Sequence, residues 1–162
     1  MKNLTYFSLI ATLILALMSC TPRQGELSDE QLALDTLVNF LESLHNGEYD
    51  EAARLYGGTY ETMIDHNLGV NSSDRAALLR SACTINGMQC LQVKSVSLDK
   101  KVSDTEFVFK VDFLNEDGTL FLLGPCCGGD ETDILPQSTF YFTVRKVDEN
   151  DFNVMDVPPY GP

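Results

Sequence analysis

Hydrophobic and polar positions along the chain fall into three regimes. Phe7 to Met18 is an apolar run of twelve, too short to cross a bilayer comfortably and of the length found in the apolar stretch of a signal peptide. From Ser28 to Thr84 apolar residues recur at the spacing of a helix. After Gly87 the period drops to two, the repeat of a strand with one buried face.

The helical regime opens on Ser28-Asp29-Glu30-Gln31, a capping-box pattern with acids placed in the first turn to suit the helix dipole. Leu34, Leu37, Val38, Leu41 and Leu44 follow on one stripe, Phe40 widens it, and Asn46-Gly47 supplies a stop, which predicts a helix over about 29–45. A second short helix is expected from Asp50 to Tyr56, ended by Gly57-Gly58, with a further turn or two over Thr59 to His66. A third amphipathic helix fits Asp74 to about Thr84, capped by Ser72 or Ser73, with Ala77, Leu78 and Ala82 inward and Asn86-Gly87 ending it.

The strand regime begins at Leu91 to Leu98, where a phase slip between Val93 and Val96 predicts a bulge. Thr105 to Leu114 alternates cleanly, with Phe107, Phe109, Val111 and Phe113 opposite Lys110 and Asp112. Asn115-Glu116-Asp117-Gly118 reads as a hairpin loop returning the chain as a strand over Thr119 to Leu123. That strand is apolar on both faces, which implies full cover or a pairing surface. After a loop from Gly124 to Pro136, Gln137 to Val147 alternates again, with Phe140, Phe142 and Val144 opposite Tyr141, Thr143 and Arg145. A turn at Asp148 to Asp151 leads to a last strand, Phe152 to Val157. Helices first and then an antiparallel meander is the order of an α+β domain: N-terminal helices packed on one face of a curved antiparallel sheet of four to five strands. The phenylalanine rows are its expected core.

The leader adds a compartment. Lys2 gives a short positive start, and the apolar run closes on Leu17-Met18-Ser19-Cys20, which resembles the bacterial lipoprotein box. That resemblance implies that residues 1–19 are a signal peptide, that Cys20 becomes a lipidated N-terminus carrying two or three acyl chains, and that residues 20–27 are a polar tether to a single domain over 28–162. The protein is then expected at a bacterial cell membrane, lipid-anchored on the exported side, with the lipid on Cys20 as its link to the bilayer. The chain of 162 residues suffices for one domain. With 24 acids against 11 bases, a net charge of −13, nucleic acid and anionic lipid surfaces are disfavoured as partners. Between Gln24 and Val70 the only base is Arg54, so the first helices carry the most negative face.

The capped segment ALDTLVNFLESLHNGEYDEAARLYG, followed by two more helical pieces and then four or five long strands, resembles the nuclear transport factor two-like superfamily over about residues 28–157. The resemblance implies a cystatin-like α+β cone, a fold common in small bacterial lipoproteins. It also implies a pocket that relatives of the ketosteroid isomerase-like and polyketide cyclase-like types use for proton transfer, and pairing of two copies through the sheet.

Export gives four further cysteines, Cys83, Cys90, Cys126 and Cys127, an oxidising setting and three ways to pair. Bridging Cys83 to Cys90 leaves Cys126 and Cys127 to form a vicinal bridge, which strains the peptide between them. The two crossed pairings instead staple the third helix and first strand to the 124–136 loop, each closing a long stretch of chain. Zinc is the rival use, but the spacing lacks CxxC knuckles and adjacent cysteines bite one metal poorly; vicinal thiols as a redox switch are a second rival. Asp130, Glu131 and Asp133 do not have the spacing of a calcium loop. No metal or cofactor is therefore expected.

Of the two histidines, His45 belongs at a helix C-terminus, where a cation suits the dipole. His66, beside Asp65 and six residues after Tyr60, would sit at the mouth of a cone-shaped pocket. No nucleophile constellation accompanies them. The leading expectation is a non-catalytic binding or interaction domain for a small apolar ligand or a protein. The alternatives are a pocket enzyme using Tyr60, Asp65 and His66, and a structural accessory domain pairing through its sheet.

Overall fold

The computed structural model describes residues 27–124 and 135–161. The leader, Cys20, most of the tether and Cys126-Cys127 lie outside the described residues. Among the described residues four helices come first: α1 (Asp29–Asn46), α2 (Tyr49–Leu55), α3 (Glu61–Asp65) and α4 (Arg75–Thr84). Four strands follow: β1 (Gln92–Ser103), β2 (Glu106–Leu114), β3 (Thr139–Lys146) and β4 (Phe152–Val154). The strands form one antiparallel sheet in the order β1-β2-β3-β4, so the expected α+β architecture, helices and then a meander, is present.

Helix α1 shows how local signals and packing agree. The Ser28 hydroxyl accepts the Gln31 N–H at 3.2 Å, while the Gln31 side chain turns forward to Asp35 at 2.7 Å. At the other end Gly47 takes φ +77°, and the N–H groups of Gly47 and Glu48 return to the carbonyls of Leu44 and Ser43, satisfying helix-end acceptors that would otherwise be orphaned. Between these caps Ala33, Leu37, Phe40, Leu41 and Leu44 are buried against the sheet.

The sheet presents alternate side chains to that helix. Phe107, Phe109, Val111 and Phe113 of β2 are buried, and Val144, Phe142 and Phe140 of β3 lie directly opposite the first three. The rings are close-packed, with Phe113 5.8 Å from Phe140 and 6.1 Å from Phe142. The face beneath α1 is thus filled with aromatic side chains. On the outer face polar groups pair with each other: Lys110 with Asp99 at 2.6 Å, Arg145 with Glu106 at 2.9 Å, and Asp112 with Ser95 and Thr139.

The bulge read from the Val93–Val96 slip is found where the register shifts between Val93 and Ser95; it lets both valines face inward, opposite Phe113 and Val111. Two further shifts follow, at Leu98/Lys100 and Lys101/Ser103. Three details differ from expectation. The cap of α4 is Asp74, whose carboxylate accepts the Ala77 N–H at 3.0 Å, because Asn71 already engages the N–H groups of Ser73 and Asp74 in the preceding turn. Thr119 to Leu123 makes only single bridges, Leu114 to Leu120 and Leu123 to Gln137, because β1 and β3 already flank β2 along most of its length. The last strand stops at Val154, after which the chain runs on as a tail.

Candidate functional site

The three residues singled out by sequence do not converge. Tyr60 is buried, with the Arg75 guanidinium 4.3 Å above its ring and the Tyr56 ring edge-on at 5.0 Å. Its hydroxyl has no hydrogen-bond partner among the described residues, and burial holds its pKa above the ordinary tyrosine value, opposed by the charge of Arg75. Asp65 is exposed at the end of α3. His66, just past α3, is exposed too, and its Nδ1 lies 2.7 Å from the Thr62 carbonyl. Among the described residues Tyr60, Asp65 and His66 make no hydrogen bond to one another.

Among the described residues the sheet face beneath α1 is packed with phenylalanine side chains. His66 instead lines a pocket of about 400 Å³ with Thr62, Met63, Asn86 and Tyr160, between α3, the loop after α4 and the C-terminal tail. A second hollow of about 320 Å³ shares Thr62, Met63 and Tyr160 and adds Tyr56, Thr59, Met155, Asp156 and Val157. Tyr160 therefore stands between the two. Asp156 is anchored there, since its carboxylate accepts the Thr143 N–H at 2.6 Å.

A buried amide network holds the back of the first pocket. Asn67 donates to the Met63 carbonyl at 2.6 Å, and its oxygen receives the Ser81 hydroxyl and, at 3.0 Å, the Asn86 amide. This locks α3 to α4 through groups whose loss would leave buried acceptors unpaired.

The front wall is the tail. A disulfide joins Cys83 at the end of α4 to Cys90 before β1, with Cα atoms 5.6 Å apart. This corrects the crossed pairings with the 124–136 loop: α4 and β1 meet in a sharp reversal, and Cys83 pairs with a cysteine seven residues away. The closed loop carries Gly87 at φ +77°, where a side chain would meet the Gly161 carbonyl. Met88 is buried in the core and bridges to Tyr160. Beside the disulfide, His45 at the end of α1 reaches the Cys90 carbonyl at 3.2 Å, a tertiary contact in addition to its favourable position on the helix dipole.

Met63, Asn67, Asn86 and Tyr160 were not among the sequence candidates. Asn86 carries the signature of a helix stop, and Tyr160 follows Pro158-Pro159 at the chain's end, so neither spacing nor period marks them. Among the described residues no group of three or more His, Cys, Asp or Glu side chains is placed to hold a metal ion, and no helix is long and apolar enough to cross a membrane. No family model, curated protein or solved structure matches this chain, and the reading of the site rests on its own geometry.

Proposed function

We propose that this protein is an exported lipoprotein, anchored through lipid on Cys20, whose single α+β domain binds a ligand without transforming it. The element order keeps its resemblance to the nuclear transport factor two-like superfamily, and on this proposal the chain is a lipoprotein member of it. One observation carries the binding reading: the pocket of about 400 Å³ is lined by Thr62, Met63, His66, Asn86 and Tyr160, without a carboxylate or an amine. Its size suits a small molecule, and its lining suits retention. A proton-transfer enzyme needs an acid or base beside a second functional group. This lining offers His66 no carboxylate or amine, only amide and hydroxyl groups, with the Tyr160 phenol held by burial above its ordinary pKa. Association of two copies through the sheet receives less support, because the outer face is tied up in its own ion pairs and the edge strand β1 is interrupted by three register shifts, a device that discourages edge pairing.

Native mass spectrometry of protein drawn from its own host membrane tests both halves. The expected species begins at acylated Cys20 and carries a non-covalent small-molecule adduct. An N-terminus without lipid refutes the anchor, and a homogeneous, adduct-free species that also takes up nothing from host extract refutes the binding reading.

A further inference from the structure

The polar capacity of this pocket is unevenly spent. His66 Nδ1 sits 2.7 Å from the Thr62 carbonyl, so that nitrogen carries the proton and donates, which in the neutral ring leaves Nε2 as an acceptor. Asn67 gives its amide to the Met63 carbonyl, so its oxygen is the atom that receives Asn86, and Asn86 meets it with an N–H. The oxygen of Asn86 is then the atom with acceptor capacity left, and among the described residues nothing donates to it. Two acceptors therefore border a chamber whose other lining residues are Thr62, Met63 and Tyr160. Leu68 and Ile85, next in sequence to Asn67 and Asn86, are 92% and 77% exposed.

Charge narrows the occupant further. No carboxylate, ammonium or guanidinium group lines the pocket, so a charged ligand would lose hydration without gaining such a counter-ion. The nearest exposed charges along α3 are the acids Glu61 and Asp65, which repel an anion, and the cation Arg75 is engaged over Tyr60.

We infer that the pocket takes an uncharged, mainly apolar small molecule that presents a hydroxyl or N–H donor to His66 Nε2 and Asn86 Oδ1. The inference rests on the binding reading above and specifies its ligand class.

Four probes of one ring size test it: 2-naphthol, naphthalene, 2-naphthoate and 2-naphthylmethylammonium. Each is titrated into the full-length protein in phospholipid nanodiscs, with free probe set by dialysis and the Met63 methyl resonance as readout. The expected order is 2-naphthol tightest, with naphthalene about fivefold weaker for want of one neutral hydrogen bond, and both ions weaker still. His66→Phe and, separately, Asn86→Ala should shrink the ratio of naphthol to naphthalene affinity, measured within each variant. Tighter binding of either ion, or a naphthol advantage that survives both substitutions, overturns the ligand class alone. Failure of all four probes to move the Met63 methyl overturns the binding reading with it.

Discussion

The backbone N–H of Gln89 donates to the carbonyl oxygen of Pro159 over 2.9 Å, and the Gly161 N–H answers to the Gly87 carbonyl over the same distance. These two bonds make the last residues of the chain a partner of the loop that the Cys83–Cys90 disulfide closes at its base. Tyr160, between them, is thereby held as the wall of the pocket. Disulfide, loop and tail form one mechanical unit.

Removing the bridge with Cys83→Ser and Cys90→Ser together should cost about 2–3 kcal/mol, the chain-entropy value for so short a loop. Urea denaturation measures the total. Hydrogen exchange should quicken first at the Gln89 and Gly161 amides; unchanged protection there, in a destabilised variant, would contradict the coupling of bridge to tail.

Tyr56 gives an alkaline signature. Its ring is stacked 5.7 Å from Phe40, its hydroxyl donates to the Thr59 carbonyl at 2.9 Å, and burial, followed by the nearby Tyr60, Asp156 and Tyr160, pushes its pKa up to about 12. Because the folded state holds this proton longer than the unfolded chain does, the contribution is complete below pH 10 and is lost as pH rises through about 12. Stability should fall over that window by about 2–3 kcal/mol from this group. Tyr56→Phe should flatten the slope while costing about 1 kcal/mol at neutral pH for the lost hydrogen bond. An unaltered alkaline slope in the variant would assign the loss to other tyrosines.

Tyr60→Phe should be neutral or stabilising by up to about 1 kcal/mol, since it deletes a buried hydroxyl that has no partner among the described residues and keeps the ring under Arg75. Thermal and urea unfolding measure it. A loss above 1 kcal/mol would show that the hydroxyl is engaged.

The legible parts of this fold are those where one local rule acts alone. Ser28 and Gly47 bound α1 because each end has a single good capping residue, and the Val93–Val96 slip marks a bulge because side-chain period is a rigid property of a strand. The α4 cap is expected at Ser72 or Ser73 and falls on Asp74, because all three side chains can cap and the choice depends on how Asn71 shapes the turn before it. Thr119 to Leu123 has the composition of a strand but lacks a free edge along most of β2, a fact of topology rather than of composition. The pocket was least legible, since it is made where α3, the α4–β1 loop and the tail meet. Only His66 among its lining residues is of a type that draws notice in a sequence, and its supposed partners Tyr60 and Asp65 point to other surroundings.

Helix α1 also sets a direction. Its first turn is tied to β3 by the Asp29–Lys146 ion pair at 2.8 Å, and its last turn touches Cys90, beside the loop that borders the pocket. The 18 residues between place these ends about 27 Å apart. On the proposed Cys20 anchor, the short tether enters at the Asp29 end, where Glu30, Asp148, Glu149 and Asp151 would be repelled by anionic headgroups. On that proposal the anchor and the pocket border opposite ends of α1, so a ligand would meet the domain at the end away from the lipid.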